Sequence, residues 1–188
     1  MIRGLILVSL ALTPFSALHA AEKGGIVMPE TRVADGTRLR LNGIGLRTYS
    51  IFGIHIYVAG LYLERQSDDP DSILHSPEKK LLDVRFVRDI NAEDARQAWR
   101  DGLDRNCRMP ACHLDPADVE RFLSFVPSVH AGDKSSLFFT STGVAVTFNE
   151  RPIGDITDRR FAETMLATFI GPVPATAQLK RELLGDAH

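Results

Sequence analysis

The chain is short of the features that mark several protein classes. Two cysteines in 188 residues are too few for a disulfide-dense scaffold or a four-cysteine zinc site. Neither charge dominates: 22 Lys+Arg against 24 Asp+Glu leave a net charge of −2. The broad basic footprint of a nucleic-acid-binding domain is therefore missing. Past the first twenty residues no apolar run is long enough to cross a bilayer, which excludes a multi-span membrane protein. No glycine-rich phosphate loop and no serine in a nucleophile elbow occurs. His75, His113 and His130 show no metal-ligand spacing, so no metal is expected. At 44% hydrophobic and 24% charged the composition is that of a folded chain, and the length is that of about one domain.

What is present begins with an address. Residues 1–20 read MIRGLILVSLALTPFSALHA: Arg3 first, an apolar stretch from Leu5 to Leu12, then small residues around Ala20. That is the order of a secretory signal peptide, the alternative being an uncleaved anchor helix that is short for the purpose. Cleavage after Ala20 removes one positive charge and leaves residues 21–188, 168 residues at −3, as a single domain in the periplasm or outside the cell. No stable membrane insertion is expected after cleavage, and no nucleic-acid partner.

The mature chain then alternates strand and helix signals in blocks. Ala21 to Asp35 has few periodic features beyond a short strand near Gly25–Met28. From Arg38 an alternating pattern predicts a strand interrupted by Gly43 and Gly45, where a bulge or a close approach of another group is expected. Ile54 to Leu63 is apolar at both parities, the mark of a strand covered on both faces. Asp69-Pro70 opens a short helix, Lys80 to Val87 alternates as a strand, and Asn91 caps a helix to about Asn106 with Ala95, Ala98, Trp99 and Leu103 inward. Asp115-Pro116 opens another helix. Lys134–Thr140 and Val144–Phe148 read as a hairpin, Pro152–Ile156 as an edge strand. Asp158 opens a helix ended by Gly171-Pro172, and a last one covers about Ala175–Leu184. Strands at both ends with helices in blocks predict an α+β layout, an antiparallel sheet with helices on one face. Asp89, Glu93 and Asp94 read as residues favouring the helix start near them rather than as a catalytic carboxylate pair.

Several segments in order resemble the chalcone isomerase family: Gly43-Ile44-Gly45-Leu46-Arg47, then Gly60-Leu61-Tyr62-Leu63-Glu64, then Asn149-Glu150-Arg151-Pro152-Ile153-Gly154 and Thr168-Phe169-Ile170-Gly171. The likeness runs from about Leu41 to Leu184 and is nearest to the secreted bacterial chalcone-isomerase-like branch. It implies an open-faced β-sandwich, a large antiparallel sheet with a helical layer and a ligand cleft between them. It places Arg47 where plant enzymes hold phenolate or carbonyl oxygens, Tyr57 where they have a threonine, and Thr168 at a retained threonine. Val87 and Asp94 stand near the places of a tyrosine and an asparagine, and neither keeps the required type. Two of five polar positions thus persist, one is altered and two are lost.

Two functions lead the expectations, with a haem-binding protein using His55 as a lesser third. One is a binding module in which Arg47 and Tyr57 hold the head of a small amphipathic anion such as a fatty acid, over an apolar floor. The other is an enzyme, an intramolecular lyase or isomerase acting on an unsaturated carbonyl compound, with Arg47, Tyr57 and Thr168 as its catalytic groups. Tyr57 reads equally as a core tyrosine whose hydroxyl the backbone satisfies. His55, on the doubly apolar strand, is the strand histidine able to face a cleft ligand, haem included, though a core role is the commoner fate. Cys107 and Cys112 read as a short disulfide between two helices. The following His113 suggests covalent haem, but the spacing departs from that signature, and no cofactor is expected.

Overall fold

The computed structural model describes residues 20–49, 53–107 and 111–185. The leader expected over residues 1–20 lies outside them except for Ala20. Seven antiparallel strands form one sheet in chain order: β3 (Thr31–Ala34), β4 (Thr37–Tyr49), β5 (Ile54–Leu63), β6 (Lys80–Phe86), β7 (Lys134–Phe139), β8 (Val144–Phe148) and β9 (Arg151–Ile156). Ahead of them β1 (Ala20–Lys23) and β2 (Ile26–Pro29) make a separate hairpin. Its turn, Gly24-Gly25, has both glycines at positive φ (56° and 78°). The segment to Asp35, where one short strand near Gly25–Met28 is expected, thus holds three, because a Gly-Gly pair supplies a tight turn without strain.

Among the described residues there are five helices: α1 (Pro70–His75), α2 (Ala92–Asn106), α3 (Pro116–Phe125), α4 (Arg159–Ile170) and α5 (Ala177–Leu183). Each starts at a side-chain cap. Asp69, Asn91, Asp115, Asp158 and Thr176 accept N–H bonds from the first turns, satisfying donors the helix itself cannot. α4 is the central helix, buried along most of its length.

Alternation divides the sheet into two faces. Ala59, Leu61, Leu82, Val84, Leu137 and Val146 join the main core with α3, α4 and α5. Leu39, Tyr62 and Leu81 form a smaller cluster on the other face. There the β1–β2 hairpin covers β5: a Cβ placed on Gly60 would collide with the Met28 sulfur, and the Tyr62 hydroxyl donates to the Pro29 carbonyl at 3.0 Å. That is why Ile54–Leu63 is apolar at both parities. The same face buries Asp83 completely, with Ser136 Oγ donating to it and Arg32 Nε at 3.2 Å.

Gly43 and Gly45 show both features expected of strand glycines. The β4–β5 register slips between Leu41 and Gly43, leaving Asn42 as the extra residue; its side chain bonds the Ser67 and Leu183 carbonyls. Beyond the bulge, α5 lies directly on β4. A Cβ on Gly43 would stand 2.6 Å from Leu183 O, and one on Gly45 2.8 Å from Leu179 Cδ1. β3 pairs only with Thr37–Arg40, so the rest of β4 has a free border. Glu182 of α5 fills part of it by accepting the Leu46 N–H at 2.8 Å, while Lys23 holds the same carboxylate.

Candidate functional site

α2 packs on α3 and α4 and stands clear of the sheet. The space between it and the strands is a cavity of about 780 Å³, within the range of small-molecule sites. Its floor crosses the strands. Arg47 lies on β4, Tyr57 on β5, Phe86 on β6, Leu137 on β7, Val146 on β8 and Ile153 on β9. Five strand spacings make about 24 Å from the first to the last. The roof carries Trp99 from α2, Phe122 from α3 and Phe169 from α4. These rings pack edge to face, Trp99 with Phe122 at 5.0 Å and with Phe169 at 5.8 Å, and Tyr57 meets Phe86 at 6.0 Å.

The polar end of the floor is built by one cross-strand pair. Arg47 and Tyr57 are direct partners in the β4–β5 ladder, so their side chains share a face. The Arg47 guanidinium donates to the carbonyl of Thr48, which spends one of its five donors. Burial pushes the Tyr57 phenol well above its ordinary range, and the nearby Arg47 charge pulls back against that rise. The hydroxyl is therefore protonated and able to donate at any physiological pH. Running α5 backward from Leu179 over Gly45 carries the α4–α5 connection, with Val173 and Ala175 on the cavity wall, toward Arg47. Arg88 and Arg105 line the exposed rim. So do Asp94 and Asp101, which accept bonds from Asn91 and Gln97.

Three of the four residues named from sequence line this cavity: Arg47, Tyr57 and Thr168. The Thr168 hydroxyl, however, donates to the Met165 carbonyl at 2.7 Å, one turn back in its own helix. Its methyl faces Gly102 of α2, so it spaces α2 from α4. His55 does not line the cavity and is exposed. The cause is a bulge: Arg47 pairs with Tyr57 but Thr48 pairs with His55, leaving Ile56 as an extra residue. Its carbonyl takes the Val87 N–H instead. The insertion reverses the alternation, so Ile54 and Ile56 face the cavity and His55 turns away. A haem ligand from His55 is thereby lost. Cys107 and Cys112 are joined, with Cα atoms 4.9 Å apart, and Cys112 Sγ lies 3.9 Å from Thr164 Oγ1 on α4. Glu93 and Asp94 sit in the first turn of α2, whereas Asp89 holds the Ala131 N–H. Among the described residues no three His, Cys, Asp or Glu side chains gather as metal ligands.

The family profile described as chalcone isomerase-like matches residues 20–185. The chain belongs to the chalcone isomerase-like family. Among solved structures, this family member is similar to an Arabidopsis thaliana fatty-acid binding protein, with a TM-score of 0.74 at 16% identity, covering 89% of this chain and 97% of that one. The likeness establishes the fold: a curled seven-stranded antiparallel sheet under a helical layer. No curated protein gives a sequence match. The sequence names Arg47 and Tyr57 as ligand contacts and Trp99 only as part of an inward helix stripe; Phe125 and Ile153, brought to the cavity by α3 and by the edge strand β9, carry no such signal.

Proposed function

We propose that this chalcone isomerase-like protein binds a small amphipathic anion, a fatty acid or a compound of that shape. The head meets Arg47 and Tyr57, and the tail lies across the strands toward β9. The observation that carries this reading is the pairing of one arginine and one protonated tyrosine at a single end of a long, mostly apolar cavity. A guanidinium grips a carboxylate with two parallel bonds. Each buried methylene of the tail contributes about 0.8 kcal/mol. The fold likeness to a fatty-acid binding protein supports it. The same pair of donors would polarise an enone carbonyl, so chalcone turnover is the alternative outcome to assay.

The test is calorimetric titration of hexadecanoate into the wild-type protein and its variants. Arg47→Ala is expected to weaken binding about 10–100-fold, the worth of a charge-assisted hydrogen-bonded contact. Tyr57→Phe is expected to weaken it several-fold. Affinity unchanged in Arg47→Ala refutes the reading. Enone turnover that disappears in Arg47→Ala replaces it with catalysis. We place the activity in the periplasm or outside the cell, supported by the order of residues 1–20 and the cysteine pair. The mass of the protein purified from its host checks this, a loss of residues 1–20 being expected.

A further inference from the structure

The cavity has a second end, and its construction is specific. The β8–β9 register slips at Val146 and Thr147, which pair with Gly154 and Pro152. Ile153 is the extra residue, and the bulge turns both Ile153 and the Cα–H of Gly154 toward the helices. Phe125, the last residue of α3, fills the space above Gly154. A Cβ on Gly154 would overlap Cδ2, Cε2 and Cζ of that ring. One edge of the phenyl ring therefore occupies the volume a side chain of β9 would take. Phe125 and Ile153 both line the cavity, on the sheet border opposite β4 and Arg47. Ser135, a polar side chain of the floor on β7, donates its hydroxyl to the Thr147 carbonyl. The wall at this end is therefore built chiefly from apolar side chains, Phe125 and Ile153 among them.

We propose that Phe125, seated on the bare backbone of Gly154, sets the length of the apolar tail the cavity accepts. The inference rests on the amphiphile reading above and adds a specificity-determining residue to it. With the head fixed at Arg47, the ring is the stop for the far end of the tail. Removing the ring lengthens the cavity toward the edge strand. Adding a methyl at Gly154 drives the ring inward and shortens it. The two substitutions act in opposite directions although they touch the same contact, which a general loss of packing does not produce.

The experiment is a titration of saturated fatty acids from octanoate to octadecanoate into wild type, Phe125→Ala, Gly154→Ala and Arg47→Ala, with an unfolding midpoint measured for each. The expected result is a length optimum that moves up in Phe125→Ala and down in Gly154→Ala. For acids two carbons past the wild-type optimum, Phe125→Ala gains roughly tenfold relative to the optimum. Arg47→Ala weakens all lengths alike and leaves the optimum in place. If Phe125→Ala fails to fold, Phe125→Leu keeps an apolar wedge and shifts the optimum in the same direction by less. Retained binding with an unmoved optimum in the Phe125 and Gly154 variants overturns the length stop alone. No binding of any length to wild type overturns the amphiphile reading and the stop with it.

Discussion

Gly43→Ala adds one methyl group, yet the structure makes it a severe change. Leu183 O stands 2.6 Å from where the new Cβ would sit, and Glu182 O is nearer still; both are backbone atoms of α5. Since Cβ contacts below 3.0 Å are essentially never seen, Leu183 O alone must retreat by at least ~0.4 Å. A flexible side chain yields cheaply, but a helix moves as a unit. Leu179 and Leu183, both fully buried, would leave their seats with it. Glu182 would lose its hold on the Leu46 N–H. Overpacking of this kind costs about 1–3 kcal/mol, and the strained cap on β4 adds to it. For a domain of this size each kcal/mol lowers the melting midpoint by about 2–4 °C, so overpacking alone is expected to lower it by roughly 2–12 °C by circular dichroism. Gly102→Ala is the matched comparison. There the new Cβ meets only the Thr168 methyl, at 3.2 Å, and the helix gains up to about 1 kcal/mol from losing a glycine. A Gly43→Ala midpoint within a degree of wild type, or one no lower than that of Gly102→Ala, would refute the argument that α5 rests on bare strand backbone.

Two further outcomes concern the supports of the cavity walls. Replacing Cys107 and Cys112 together by serine opens the cross-link at the end of α2 and costs about 2 kcal/mol on the chain-entropy model; equilibrium urea unfolding of oxidised wild type against the double variant checks it. Burial pushes the Glu182 carboxyl up, but bonds from Lys23, Gln178 and the Leu46 N–H outweigh burial and hold it below its ordinary range. A depressed carboxyl stabilises the fold above its unfolded pKa and loses that contribution as pH falls through the folded value. Glu182→Gln should therefore flatten the acid limb of the stability–pH curve, and an unaltered limb would show that the Lys23–Glu182 clasp contributes nothing.

Local chemistry made much of this fold legible. The caps at Asp69, Asn91, Asp115 and Asp158 mark helix starts because the capping bond spans only two or three residues. The alternation of β6 is equally plain, Leu82 and Val84 to the core and Asp83 away from it. What escaped notice depends on pairing between strands. The bulges at Ile56 and Ile153 are differences in register between two segments, and neither residue type announces one. A single inserted residue on β5 was enough to remove His55 from the cavity while leaving Tyr57 in it. Gly43 and Gly45 signalled a close approach, but the approaching helix lies far along the chain and only the closed structure names it. The sequence resemblance identified Arg47 and Thr168 as a pair of like standing. The geometry separates them, since Thr168 spends its proton on its own helix and Arg47 keeps donors for a ligand.

The open border of the sheet has a consequence for self-association. An unclosed sheet is a template on which a further strand, from another copy, can add. Here β3 is four residues long, and Glu182 occupies the Leu46 N–H past its end. The opposite border, β9, carries exposed Arg151 and Asp155 and a proline at Pro152 with no N–H to offer. A chain with so wide an apolar interior thus carries features on both borders that hinder polymer growth. What hinders it is local, the short β3 and the capped Leu46 N–H on one border and Arg151, Pro152 and Asp155 on the other, and not the weak repulsion of a net charge of −2.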